Sequence, residues 1–235
     1  MSACANQSRH PHPHITLLDQ QFLLPQRLLC NIKKTKQHGL TMNLISLTCF
    51  FAFVIVFSNA QEGSRGPVNV QLYYESLCPD SINLIRDELY PTWQSLKNRF
   101  NVDWLPYGKA SHRKTADNTS YTFQCQHGPR ECRGNMMMAC GIDVLTSPED
   151  RMKWIHCVMT SPSPNTAGQR CATSLQLDYN PIQTCEQSNR GKQLLATYGD
   201  RTHALRPRLS FVPTVTFNGT YNRELQRRSL RDFRA

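Results

Sequence analysis

The chain has 235 residues, 39% of them hydrophobic, ten cysteines, and a formal charge of +10 from 27 Lys/Arg against 17 Asp/Glu. That length allows one domain of about 150 to 200 residues plus an extension, and the composition excludes fibrous, wholly disordered and multispan membrane chains. Residues 1–60 hold five Lys/Arg and one Asp, which leaves 22 against 16, or +6, for residues 61–235. No block of like charges or basic and aromatic interleaving marks a nucleic-acid surface, so no nucleic-acid partner is expected.

The first sixty residues read as a presequence. Leu44 to Phe57 is an apolar run of fourteen residues, short for a bilayer span of about 20 and suited to a signal-peptide core. Small residues at Ser58 and Ala60 place cleavage after Ala60, so the chain enters the secretory pathway, with no stable membrane anchor expected. Met42 is a possible true start. His10, His12 and His14 read as incidental low-complexity sequence rather than a metal site.

The folded part is expected over residues 61–235. Val68 to Tyr74 (VNVQLYY) reads as a buried strand. Ile82, Ile85, Leu89, Trp93 and Leu96 then recur at helical spacing, with Pro79 in the first turn and Pro91 expected to kink or break the helix. Phe100 to Leu105 alternates apolar and polar residues as a second strand, completing a βαβ start. From about 108 to 179 the sequence turns cysteine-rich and turn-rich, and reads as an inserted helical subdomain fastened by disulfides, with Met136, Met137 and Met138 as packing. Residues 183–198 are expected to form one helix, 211–217 a strand entered through Pro213, and Asn218-Gly219 a tight turn. The tail from Asn222 reads as a solvated, basic helical face.

Three cysteines (Cys4, Cys30, Cys49) fall in the presequence, leaving seven. Cys125, Cys132, Cys140, Cys157, Cys171 and Cys185 crowd into 61 residues and can pair in fifteen ways; Cys78, 47 residues upstream, is the natural odd one. The gaps of seven and eight between Cys125, Cys132 and Cys140 do not suit structural zinc. Cys78 is placed at a helix N-terminus directly after a strand, where unpaired N–H groups and the helix macrodipole favour its thiolate. Ser81 is positioned to donate to the sulfur, whereas Asp80 opposes the thiolate. The same residues also fit an unreactive cysteine.

Cys125 to Cys140, CQHGPRECRGNMMMAC, carries Cys125, Gln126, His127, Gly128, Glu131, Cys132, Asn135 and Cys140 at the eight fixed positions of a sixteen-residue signature. In this the chain resembles the gamma-interferon-inducible lysosomal thiol reductases and their invertebrate relatives, over about Val68 to Asn218. The resemblance implies an α/β, thioredoxin-like fold with a disulfide-rich helical insertion, disulfide reduction on protein substrates, a lysosomal, endosomal or secreted location, and Pro213 as a cis-proline beside the active cysteine. The family tetrad is C-x-x-C; here it is Cys78-Pro79-Asp80-Ser81, so the resolving thiol is missing. A mixed disulfide on Cys78 then needs an external small thiol for release. Within the signature, His127 reads as holding the insertion together rather than as an acid or base for Cys78.

The favoured reading is therefore a monothiol reductase or isomerase with Cys78, Ser81 and Pro213 at its site and with no cofactor or metal. A relative that captures clients without turnover, and a disulfide-rich secreted structural or defence protein, are the competing readings. Asn118 and Asn218 open sequons, with Asn118 the more accessible to glycosylation.

Overall fold

The structure is a computed structural model that describes residues 66–97 and 99–234. The residues expected to form a signal peptide, the His10–His14 cluster and the three early cysteines lie outside the described residues. Strand β1 (Val68–Tyr74) is the central strand of a three-stranded sheet. It runs parallel to β2 (Phe100–Pro106), from Val68 opposite Phe100 to Tyr74 opposite Pro106, and antiparallel to β5 (Thr214–Phe217). A strand paired on both sides and covered on both faces suits a continuous apolar run. Val70, Leu72 and Tyr74 enter the main core, whereas Tyr73 joins Leu105 and Leu205 on the opposite face.

The parallel β1–β2 pair requires a crossover, and the chain supplies α1 (Pro79–Asn83), a π-helical segment (Leu84–Leu89) and α2 (Tyr90–Leu96) in unbroken succession. Of the kink or break expected at Pro91, the break does not occur, and a π-helical turn directly precedes the proline. Proline has no N–H and its ring crowds the carbonyl four residues back; the widened turn before it absorbs the mismatch, with the Tyr90 N–H reaching the Ile85 carbonyl five residues back. Leu84, Ile85 and Leu89 stay buried against the sheet throughout.

A hairpin of β3 (Ser111–Lys114) and β4 (Tyr121–Gln124) precedes a helical body. That body comprises α3 (Pro129–Val144), α4 (Pro148–Met159), α5 (Gly168–Ser174), α6 (Asn180–Gln187) and α7 (Asn189–Ala204). Three disulfides fasten it. Cys140–Cys185 joins α3 to α6, Cys157–Cys171 joins α4 to α5, and Cys125–Cys132 ties the chain after β4 to the first turn of α3. Met137 and Met138 are buried, the latter accepting a hydrogen bond from Tyr74 Oη at 3.3 Å.

Two further boundaries differ from the sequence reading. The helix expected over 183–198 is two helices that meet at Ser188, whose extended backbone ends α6 and whose Oγ accepts from the Arg190 N–H to start α7. The last strand begins at Thr214 rather than 211. Proline cannot donate to a ladder, and Phe211 to Pro213 instead form the loop that faces Cys78. Asn218 and Gly219 turn at positive φ, and the tail forms α8 (Arg223–Ser229), started by Asn222 Oδ1 accepting from Glu224 and Leu225 N–H. Its face is not wholly solvated, because Gln226 and Ser229 are buried.

Candidate functional site

Cys78 is the N-cap of α1, with an extended backbone and Pro79 at the first helical position. This follows from the sequence: β1 ends at Tyr74, the turn Glu75 to Leu77 reverses the chain, and proline fits a helix start because its missing N–H would have no partner there. The Cys78 N–H donates to the Glu75 carbonyl at 3.4 Å, and the Cys78 carbonyl accepts from Ile82 at 3.0 Å. The residue is buried and packs with Val212 and Leu209. Its Sγ lies 3.8 Å from the Val212 carbonyl oxygen, and the Val212–Pro213 peptide is cis. Cys78 is itself disulfide-bonded, and only its reduced form carries a thiol.

Of the tetrad, Asp80 lies in the first turn of α1, two residues after Cys78, and lines a cleft of about 320 Å³ that continues along Asn83, Leu84, Phe211, Val212 and Pro213. Ser81 is buried, and its Oγ accepts from the Glu75 N–H at 3.4 Å. This hydrogen bond ties Ser81 to the end of β1 and leaves its hydroxyl proton available for donation. A larger cavity, about 550 Å³, is lined by Gly108 to Ala110, Thr202, His203, Arg208 and Leu209.

The signature residues reach this turn directly. Asn135 Oδ1 accepts from the Ser76 N–H at 2.8 Å, and Ser76 Oγ donates to the Glu131 carbonyl at 3.1 Å. His127 Nδ1 bonds Glu131 Oε2 and lies 3.5 Å from Glu75 Oε2, and the His127 N–H donates to Glu131 Oε1. Glu75 and Glu131 are both fully buried. Burial first, and then the Glu131 charge, push the Glu75 carboxyl up to about 7, against the opposing pull of the Lys109 backbone N–H and of His127. Glu75 Oε1 accepts that Lys109 N–H at 2.7 Å, which fixes the loop after β2. Gly108 in this loop has φ +61, and a Cβ there would meet Glu75 Cγ at 2.2 Å.

The loop bearing Pro213 is held from its other side by Gln226. The Val215 N–H donates to Gln226 Oε1 at 2.6 Å, and Gln226 Nε2 donates to the Pro213 carbonyl at 3.1 Å. The amide takes the place of a neighbouring strand at the open edge of β5. Sequence reading missed both Glu75 and Gln226. The signal for Glu75 is one acidic residue immediately after an apolar strand and before the cysteine; Gln226 carries no signal in a polar helix.

The sequon asparagines are both exposed and both at positive φ. Asn118 sits in the turn between β3 and β4, while Asn218 Oδ1 accepts from the Asn69 N–H at 3.0 Å. Among the described residues no helix is long and apolar enough to cross a membrane.

Comparison with known proteins matches residues 69–175 to the family model described as gamma interferon inducible lysosomal thiol reductase (GILT). A gamma-interferon-inducible lysosomal thiol reductase-like protein of Anopheles gambiae is 37% identical over 183 residues, covering 72% of this chain and 75% of that protein. The gamma-interferon-inducible lysosomal thiol reductase of Mus musculus is 34% identical over 210 residues, covering 88% of this chain and 81% of that one. That of Carassius auratus is 34% identical over 173 residues, with coverage of 73% and 67%. With the signature docked on the turn before Cys78 and these likenesses running over most of the described residues, the chain belongs to the gamma-interferon-inducible lysosomal thiol reductase family.

Proposed function

We propose that the reduced protein is a thiol–disulfide oxidoreductase of thioredoxin-like fold that acts on protein disulfides through Cys78 and relies on an external thiol for resolution. The observation that carries this reading is Cys78 as the N-cap of α1 with its sulfur 3.8 Å from the Val212 carbonyl. A thiolate there gains from the N–H groups of the first turn. It attacks one sulfur of the substrate disulfide, forming a Cys78–substrate disulfide and releasing the other sulfur as a thiolate that takes up a proton. The external thiolate then attacks the mixed disulfide, freeing Cys78, and a second external thiol reduces the substrate–thiol adduct. The net change is one substrate disulfide reduced to two thiols and two small thiols oxidised to one disulfide.

Pro213 and the backbone of Phe211 and Val212 supply the edge along which a substrate chain lies, in the cleft shared with Asp80. Ser81 in place of a cysteine favours a second reading, in which the mixed disulfide persists and the protein retains its client until a small thiol arrives. Entry into the secretory pathway and the relatives' lysosomal names support work in an endosomal, lysosomal or extracellular compartment.

The test is turnover of a denatured disulfide-bonded protein by the purified, mildly reduced chain, with free cysteine or glutathione as co-reductant, at acidic and neutral pH. Multiple turnovers above a Cys78→Ala control, rising with small-thiol concentration, are expected. Ser81→Cys should make substrate release independent of that concentration. A wild-type rate equal to the Cys78→Ala rate sinks the reductase reading; a stoichiometric mixed disulfide without turnover selects client retention.

A further inference from the structure

We propose that His112, Asp200 and His203 form a binding site for a divalent transition-metal cation of the zinc class, where the β3–β4 hairpin meets α7. One ligand atom from each residue falls within 4.8 Å of the others. His112 comes from β3, while Asp200 and His203 are three residues apart on α7 and so share a helix face.

His112 Nε2 is 3.4 Å from Asp200 Oδ1. A tetrahedral site with metal–ligand bonds of 2.0–2.1 Å has edges of about 3.4 Å, so this pair already spans one edge. His203 is exposed at the last turn of α7, so a side-chain rotation would bring its ring nitrogen the rest of the way.

The support behind the ligands is what distinguishes this cluster from a chance meeting of surface groups. Tyr107 is fully buried, and its Oη lies 2.7 Å from His112 Nδ1. A phenol that accepts from Nδ1–H leaves the Nε2 lone pair facing Asp200, which is how an outer partner sets the tautomer of a metal-binding histidine. The His112 and His203 rings are parallel within 9°, with centroids 5.8 Å apart, and Tyr107 meets both edge-on. Gly199 makes the approach possible: a Cβ there would lie 2.6 Å from the Tyr107 ring and 2.7 Å from His112 Nδ1.

Two imidazoles and a carboxylate suit Zn²⁺ and its neighbours rather than Mg²⁺ or Ca²⁺, and three protein ligands leave one position for water. The bound ion would pin the hairpin to α7. The Glu75–His127–Glu131 cluster also brings three ligand atoms together, but its histidine and Glu131 are already bonded to each other and both acids are sealed from solvent. A cation there would have to break the turn before Cys78.

The test is titration of the untagged full chain with Co²⁺, read by its visible spectrum, followed by displacement with Zn²⁺. One equivalent with tetrahedral ligand-field bands and no thiolate charge-transfer band is expected. Affinity should fall at least tenfold in His203→Ala and in Asp200→Asn, both exposed changes that leave the metal-free unfolding midpoint in place. Tyr107→Phe should weaken binding about tenfold while keeping the spectrum. Zn²⁺ should raise the unfolding midpoint of wild type and not of His203→Ala. Equal affinity and spectrum in wild type and both ligand variants, as binding at His10, His12 and His14 would give, overturns the proposal, and so does the absence of binding.

Discussion

Glu75→Gln isolates the contribution of one buried proton to the pH dependence of folding. The Glu75 carboxyl is raised from 4.5 to about 7 in the folded protein, chiefly by burial and secondly by Glu131. Below pH 4.5 the carboxyl is protonated in both folded and unfolded chains and adds no slope. Between 4.5 and about 7 the folded chain keeps the proton and the unfolded chain has lost it, so stability falls as pH rises; above about 7 the buried carboxylate is fully charged and the fall is complete. A gap of about 2.5 pH units at about 1.4 kcal/mol each gives a fall of about 3 kcal/mol. Glutamine keeps an oxygen for the Lys109 N–H and replaces the protonated Oε2 with a donor. The variant should therefore match wild type near pH 4.5 and exceed it by up to about 3 kcal/mol above pH 7, a urea midpoint difference on the order of 1–2 M. Urea unfolding followed by tryptophan fluorescence across this range measures both curves. Parallel curves for wild type and variant would refute the assignment.

The remaining predictions concern the supports of the site and the helical body. Gln226→Leu leaves the Val215 N–H and the Pro213 carbonyl without their partner, and should cost about 1–3 kcal/mol for each group left unpaired; an unchanged denaturant midpoint would count against the edge-strand role. Replacing both Cys140 and Cys185 by alanine opens a bridge of sequence separation 45, worth about 4 kcal/mol of unfolded-state entropy. A loss under about 1 kcal/mol in the same assay would argue that this chain-entropy account fails here. Chain secreted from animal cells should lose a glycosidase-sensitive mass step on Asn118→Gln and keep it on Asn218→Gln. The reverse pattern would show that the contact of Asn218 with Asn69 leaves its amide open to the transferase.

The central βαβ unit was legible because its signals are local. Val68 to Tyr74 is β-branched and aromatic between a Gly-Pro entry and a turn, and it forms a strand over the same residues. Pro79 and the three- and four-residue apolar spacing located the helix start and its buried side. What failed was a local rule overridden by packing. Pro91 should stop an isolated helix, yet burial of Leu84, Ile85 and Leu89 on the sheet holds the segment together through one π turn. The strand before Asn218 lost its first three residues because Pro213 cannot join a ladder. The polar scaffold of the site was legible only in part. His127, Glu131 and Asn135 stood out within a dense signature, but their partners, Glu75 and Ser76, lie more than fifty residues away in sequence. No periodicity encodes such a pairing.

The signature and the tetrad nevertheless form one mechanical unit. Cys125–Cys132 closes a short loop that carries His127 and ends beside Glu131. His127 and Glu131 meet the Glu75 side chain, while the Glu131 carbonyl and Asn135 hold Ser76. Glu75 in turn accepts the Cys78 N–H and anchors Lys109. A change at that disulfide therefore reaches the Cys78 turn through two buried side chains and one backbone hydrogen bond. The other two bridges act between helices of the body, and Cys140 and Cys171 are fully buried. One disulfide shapes the site and two hold the body, and Cys78 belongs to none of the three. The exchange proposed for the reduced Cys78 thiol leaves these three bridges closed.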